Sequence, residues 1–218
     1  MIELKDLTVG YSKDKPLIEN INFTFEDNKI YGILGKSGFG KSTLLKTIAG
    51  LQKPLYGSIY VDGSIVKNAK TSGSYMMFQN YTCFDWLDCL DNVIIAQKVV
   101  SRISEKDIED AKKWLAAVGL SEDTYKYPTQ LSGGMKQRLA LARTLFMNPK
   151  VVLMDEPLSA LDEKTRAAMQ NLILEDHKHD KNIIIMITHS HEEAERVCDV
   201  VIDFEKGGFK DGIQGFIH

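Results

Sequence analysis

The sequence predicts an α/β fold: a mainly parallel core sheet flanked by helices, with an N-terminal antiparallel β portion and an inserted helical subdomain. Three observations predict it. Short, uniformly apolar runs at Ile30–Leu34, Val151–Met154 and Ile183–Ile187 read as strands buried on both faces, as strands of a parallel sheet are. Helical spacing follows these runs, so strands and helices alternate and the crossovers cover the sheet. Between the first run and the second, residues 80–147 are mostly helical in texture, which marks an insert in the α/β core.

Taken in order, Ile2–Val9 reads as a strand, and Ile21–Phe25 alternates apolar with polar residues as a strand with one wet face does. After Ile30–Leu34, residues 35–41 (GKSGFGK) hold three glycines and favour a tight loop. Ser42–Ala49 follows as a helix ending near Gly50. Gly57–Val61 and Tyr75–Phe78 are short strands, with the Asp62-Gly63 turn signal after the first. Residues 80–100 read as loop and short helix. Glu105–Val118 places Ile108, Ala111, Leu115 and Val118 on one helical face, and Met135–Met147 does the same with Leu139, Ala142, Leu145 and Phe146. Beyond Val151–Met154 come a helix over Glu163–Glu175, the Ile183–Ile187 strand, a short helix over His191–Val197 and an edge or near-edge strand at Val200–Phe204. A glycine-containing tail, Lys206–His218, closes the chain. No linker rich in Pro, Gly and Ser interrupts it and no internal repeat divides it, so 1–218 reads as a single domain.

Composition narrows the function. With 44% hydrophobic and 26% charged residues, the 218-residue chain is ordinary for a soluble globular protein. Its 27 Lys and Arg against 30 Asp and Glu leave a formal charge of -3, which gives no whole-protein steering toward nucleic acid or an anionic membrane. Cys83, Cys89 and Cys198 cannot close a disulfide framework and match no metal-ligand spacing, which fits a reducing compartment. His189 and His191 lack a convergent third ligand, and His177 and His179 sit in a charged helix end. Charge and apolar residues alternate over Met1–Asp6, unlike a signal peptide, and no apolar run approaches the ~20 residues of a spanning helix. A link to a membrane is therefore expected to run through a partner.

Two segments carry the chemistry. Gly35, Gly40, Lys41 and Ser42 satisfy G-x-x-x-x-G-K-[ST] between a buried strand and a helix, the context of a P-loop NTPase. Glycines let the backbone wrap a phosphate, and the helix start favours its negative charge. Lys41 is expected to bridge the β- and γ-phosphates of ATP, Ser42 to offer a hydroxyl to Mg²⁺, and Thr43 to help hold an α-phosphate oxygen. The second segment, VVLMDE over residues 151–156, delivers Asp155 to the C-terminal end of a buried strand, where parallel sheets place ligands. Asp155 would hold Mg²⁺ directly or through water, and Glu156 would polarise and orient the attacking water. Residues 131–138 (LSGGMKQR) form another capped, glycine-rich helix start. Ser132, Gly133 and Gly134 read there either as an ordinary capped helix or as an anion-binding turn offered to a second chain.

Together these motifs resemble the nucleotide-binding subunit of an ATP-binding cassette (ABC) transporter, over roughly residues 1–204. Residues 35–43, including Ser37 and Gly38, resemble the Walker A loop, 151–156 the Walker B strand, and 131–135 the signature motif, with Met135 in place of its usual glutamine. The resemblance implies that Tyr11 stacks on adenine; read locally, Tyr11 is a core aromatic at a strand end. It further implies that Gln79 senses Mg²⁺ and the attacking water, that Ser159–Asp162 forms a D-loop crossing a dimer seam, and that His189 contacts the γ-phosphate. The aromatic segment 79–93 (QNYTCFDWLDCLDNV) resembles the groove that receives a coupling helix of a membrane permease in importers of nitrate, sulfonates, taurine or thiamine precursors. Asp85 stands there where those proteins commonly have proline, and a small satellite core is the plainer reading of the same residues.

The expected function is ATP hydrolysis by two cassettes closing head to tail, on the cytoplasmic face of a membrane, to drive import through a permease with or without an extracytoplasmic solute-binding protein. The alternative is a soluble ABC ATPase of DNA repair or translation, although the insert is too short for the long coiled coil of the repair type. A GTPase is disfavoured because no N-K-x-D segment is present.

Overall fold

The computed structural model describes residues 1–80, 82–210 and 213–215; Tyr81 and part of the Lys206–His218 tail lie outside that set. The chain opens with β1 (Ile2–Ser12), β2 (Lys15–Phe25), β3 (Ile30–Leu34) and α1 (Lys41–Ile48). Then come β4 (Tyr56–Val61), β5 (Ser64–Ile65), α2 (Ala69–Ser72) and β6 (Ser74–Met77), followed by α3 (Cys89–Val100), α4 (Glu105–Ala117) and α5 (Gly133–Phe146). The last third contains β7 (Val151–Asp155), α6 (Glu163–Asp180), β8 (Ile183–Ile187), α7 (His191–Val197), β9 (Val200–Asp203) and β10 (Ile213–Gly215).

Two sheets result. The antiparallel one has the order β2-β1-β4-β5, and the other β10-β9-β3-β8-β7-β6. In the first, β1 and β2 form a hairpin, and Asp62 and Gly63 both take positive φ to turn β4 into β5. In the second, β3, β7, β8 and β9 run parallel, and every residue of β3, β7 and β8 is buried. Their register aligns one edge. Ile33 faces Ile187, Asp155 faces Ile187 from the other side, and Leu34 faces Asp203. The segments that leave this edge, 35–40, 156, 188–190 and 204–206, are the ones on which ligands of a parallel sheet sit.

The residues group into two compact units. The first comprises Met1–Met76, Pro149–Glu156 and Lys181–His218; the second comprises Met77–Asn148 and Pro157–Asp180. One core serves the first unit: Leu4, Leu7 and Phe25 of the antiparallel sheet, Leu44, Leu45 and Ile48 of α1, and Ile33, Leu153, Ile185 and Ile202 of the parallel sheet. Against the other face of β3, α7 approaches so closely that a Cβ on Gly32 would lie 2.8 Å from Cys198 Sγ, so only glycine fits there.

In the second unit α3, α4 and α5 pack on one another through Val93, Ala111, Leu115, Leu139 and Ala142, all fully buried. Ser104 and Asp107 cap α4 reciprocally, with Asp107 N–H donating to Ser104 Oγ (3.2 Å) and Ser104 N–H to Asp107 Oδ2 (2.7 Å).

Besides β5 and α2, which the sequence reading lacks, and the longer β1, several elements differ from that reading. The stretch 80–100 holds a 12-residue helix, α3, started by Asp88, whose carboxylate accepts from Asp91 N–H (2.8 Å). Strand β2 begins at Lys15, six residues before Ile21, because the hairpin ladder continues through largely exposed residues that carry no apolar alternation. Helix α6 runs on to Asp180 through charged residues. Strand β10, absent from the sequence reading of the tail, adds to β9 and makes it near-edge, one of its two expected placements.

Candidate active site

The parallel sheet delivers Gly35 at the end of β3 with φ 138°, and Gly38 and Gly40 follow at 91° and 84°, in the region that L side chains avoid. Gly40 is the N-cap of α1 and has no side chain to accept from its first-turn N–H groups, which leaves those donors for a ligand. Lys41 is 5% exposed. Its Nζ donates to the carbonyls of Gly35 (2.5 Å) and Lys36 (2.7 Å), so the ammonium pins its own loop. Burial lowers its pKa, opposed by the nearby Glu156 and Asp155 carboxylates.

Ser42 Oγ donates to Asp155 Oδ1 at 3.1 Å, which joins the two predicted motifs. Asp155 is 3% exposed at the end of β7, and burial pushes its carboxyl up while the Ser42 hydrogen bond pulls it down. Next along, Glu156 holds a left-handed backbone (φ 53°) as its N–H donates to Ile187 O at 3.1 Å. A non-glycine residue held there costs about 1–3 kcal/mol. The turn aims the Glu156 carboxylate at His189, with Oε1 2.8 Å from Nε2.

His189 is held by its neighbours. Thr188 Oγ1 donates to Glu193 and accepts from Ser190 N–H (3.1 Å), and Ser190 Oγ accepts from Glu193 N–H (3.1 Å). Thr188, Ser190 and Glu193 were not singled out by sequence reasoning, although a Ser three residues before a Glu at a helix start is a capping signal. Tyr11, at the end of β1, is 78% exposed, so it is not a core aromatic. Its hydroxyl accepts from Thr43 Oγ1 at 3.2 Å, which ties the exposed ring to α1. The structure thus gathers Tyr11, Gly35, Ser37, Gly38, Gly40, Lys41, Ser42, Thr43, Asp155, Glu156 and His189 in the first unit.

Gln79, Ser132, Gly133, Gly134 and Asp162 belong to the second unit. Gln79 is exposed in a turn after β6. Ser132 caps α5, its Oγ accepting from Met135 N–H (3.3 Å). A Cβ added at Gly133 would meet nothing within 4 Å, while one at Gly134 would lie 3.3 Å from Ala160 O. Fully buried Gln137 accepts from Ala160 N–H at 2.9 Å, so the 159–162 loop is fastened to the start of α5. Asp162 is exposed and caps α6 through Thr165 N–H (3.0 Å); the bond to Thr165 lowers its pKa.

In the 79–93 segment Trp86 is 73% exposed against Phe84 (5.4 Å between ring centres), so a closed satellite core does not describe it. What organises the segment is Asn92, which is fully buried. It accepts from Phe84 N–H (2.8 Å) and donates toward the carbonyls of Phe84, Leu87 and Asp88. Arg143 of α5 adds a bond to Thr82 O (2.7 Å) and stacks over Phe84.

A glycine loop entering a helix at the C-terminal edge of a parallel sheet, with a buried Asp on the loop's serine and a Glu–His pair beside it, defines a P-loop nucleotide hydrolase. The chain belongs to the ABC transporter family, whose model matches residues 18–159, and it is an ABC-type ATPase. It is 41% identical over 185 residues to the uncharacterized ABC transporter ATP-binding protein MJ0412 of Methanocaldococcus jannaschii, covering 85% of this chain and 69% of that one. It is 40% identical over 196 residues to the nitrate import ATP-binding protein NrtD of Synechocystis sp., covering 88% and 73%. The dimeric structure of a post-hydrolysis state of the ATP-binding cassette MJ0796, bound to ADP and Pi, superposes with a TM-score of 0.84 at 28% identity, covering 93% of this chain and 94% of that one. No helix among the described residues is long and apolar enough to cross a membrane.

Proposed function

We propose that this chain is the ATP-hydrolysing subunit of an importer, working as a head-to-tail pair in which each copy completes the other's nucleotide site. The observation that supports it most is the clustering of Lys41, Ser42, Asp155, Glu156 and His189 on one sheet edge, together with a second glycine-rich helix start at Ser132–Gly134. In this reading Tyr11 stacks on adenine, the 35–43 loop wraps the phosphates, and Lys41 exchanges the carbonyls of Gly35 and Lys36 for phosphate oxygens. Glu156 accepts a proton from the attacking water and orients it, while His189 holds the Glu156 carboxylate and faces the γ-phosphate. Ser132, Gly133, Gly134 and Asp162 reach the neighbour's nucleotide. Gln79 reports the state of that site to the helical subdomain, 80–147.

Mg²⁺ fits Ser42 and Asp155, an all-oxygen pair in which a buried carboxylate gains from a cation. Among the described residues no group of three or more His, Cys, Asp or Glu could hold a metal alone, so phosphate and water would complete the shell. When bound, the ion neutralises charge on the β- and γ-phosphates. Membrane coupling runs through the exposed Trp86 side of 79–93, where a permease segment docks and holds the subunit at the cytoplasmic face; an extracytoplasmic solute-binding protein fits the same assembly, and nucleic acid is no partner. The NrtD relative is a nitrate import protein by name, which supports the importer reading. Co-purification from solubilised native membranes with Glu156→Gln and ATP tests the assignment. A membrane permease and a second cassette are expected; recovery with ribosomes or repair proteins and no permease contradicts it.

A further inference from the structure

The phosphate loop carries an aromatic residue, Phe39, between two glycines of positive φ, and it lies 40% exposed. With glycine on both sides, the loop's tip has little backbone stiffness of its own. Its ring is anchored. Phe39 Cδ2 lies 3.5 Å from where a Cβ on Gly35 would be, and the ring stands 6.3 Å from that of Phe204 at a 39° tilt. Phe204 also meets the loop's first residue, its Cβ lying 2.9 Å from the same Gly35 position.

The sheet register explains this meeting. Leu34 of β3 pairs with Asp203 of β9, so the next residue of each strand, Gly35 and Phe204, leaves the edge side by side. Behind Phe204 stands a row of rings. Phe204 packs edge-on against Phe209 (5.8 Å), and Phe209 in turn against Phe23 (5.2 Å) and Phe25 (6.4 Å) of the antiparallel sheet. Asp203 Oδ1 accepts from Glu205 N–H (2.9 Å) and so fixes the turn that carries Phe204.

We infer that Phe204 is a positioning residue for the phosphate site, holding both limbs of the 35–40 loop through Gly35 and Phe39 so that the loop is pre-shaped for ATP. The inference rests on the nucleotide-hydrolase reading of that loop and adds to it a residue from outside the P-loop and β7 motifs. Preorganisation of this kind strengthens nucleotide binding more than it changes the chemical step. Phe204→Ala is therefore expected to raise the Kd and KM for ATP by about threefold to tenfold, the size of one aromatic pair, with kcat within about twofold. Phe39→Ala is expected to raise Kd similarly, and the double variant to bind no more weakly than the worse single one, because both act through one contact. Phe204→Tyr keeps the ring and is expected to restore binding.

The experiment is calorimetric titration of ATP into the full chain and these variants, with steady-state hydrolysis alongside and melting temperatures to check folding. Fully multiplicative losses in the double variant, an unchanged Kd, or a fall in kcat at constant KM would overturn the inference. If Phe204→Ala does not fold, Phe39→Ala and Phe204→Tyr decide it: weakened binding in the first with near-normal binding in the second supports it, and any other pairing overturns it. Failure of the wild-type chain to bind ATP would instead defeat the underlying reading, which separates the two.

Discussion

At the residue scale, the proposed function divides the work of the site between Lys41 and Glu156. Lys41 is desolvated and donates to two carbonyls of its own loop, bonds that phosphate oxygens would replace in the proposed reading. Lys41→Ala should weaken ATP binding at least about tenfold, read by titration calorimetry; near-wild-type affinity would remove the assignment. Glu156→Gln keeps the shape and the left-handed turn but loses the base, so hydrolysis should fall by about two orders of magnitude or more while ATP still binds. Unchanged turnover would defeat that role. Lys41, Ser42 and Asp155 were legible in the sequence because strand, loop and helix follow one another locally and leave their side chains few places to go. The exposure of Tyr11 was not, since it depends on β1 running to Ser12, past the end of its pairing with β4.

At the element scale, α3 and α6 each carry a buried polar side chain. Asn92 fixes the 84–88 turn to the first turn of α3. Asn92→Ala removes the side-chain bonds to Phe84 N–H and Leu87 O and should cost about 1–3 kcal/mol, measured by urea denaturation, whereas a change near zero would show that the turn holds without it. On α6, burial, with the neighbouring Asp180 carboxylate acting in the same direction, pushes the Asp176 carboxyl up to about 7. The folded chain therefore holds this proton more tightly than the unfolded one. The stabilisation is complete below the unfolded value of 3.8 and is lost as the pH rises through about 7. Thermal stability should drop between about pH 5 and about pH 8 by about 2–3 kcal/mol from this group, and Asp176→Asn should flatten the profile over that range. A variant that keeps the wild-type slope would contradict it. Strands β3, β7 and β8 could be read from sequence because burial on both faces leaves a continuous apolar run. The first half of β2 and the whole of β10 could not, because backbone pairing holds them where side chains leave little apolar pattern.

At the scale of the whole molecule, the proposed pairing depends on where the Ser132–Gly134 helix start acts. Ser132 and Gly133 are open on the second unit, and Gly134 and Gln137 bind the 159–162 loop to the same helix start, so both predicted seam elements form one piece. Local sequence could not choose between an ordinary capped helix and a surface for a second copy, because the choice concerns a contact outside the chain. In a head-to-tail pair, each nucleotide site takes Lys41 from one copy and Ser132 from the other. Lys41→Ala and Ser132→Arg proteins should therefore each be nearly inactive alone. Mixed in equal amounts with ATP, they should recover hydrolysis approaching about a quarter of the wild-type rate, since random pairing makes half the dimers mixed and each mixed dimer rebuilds one of its two sites. No recovery on mixing, although each variant still pairs with wild-type chains, would place Lys41 and Ser132 in the same copy's site and contradict the account.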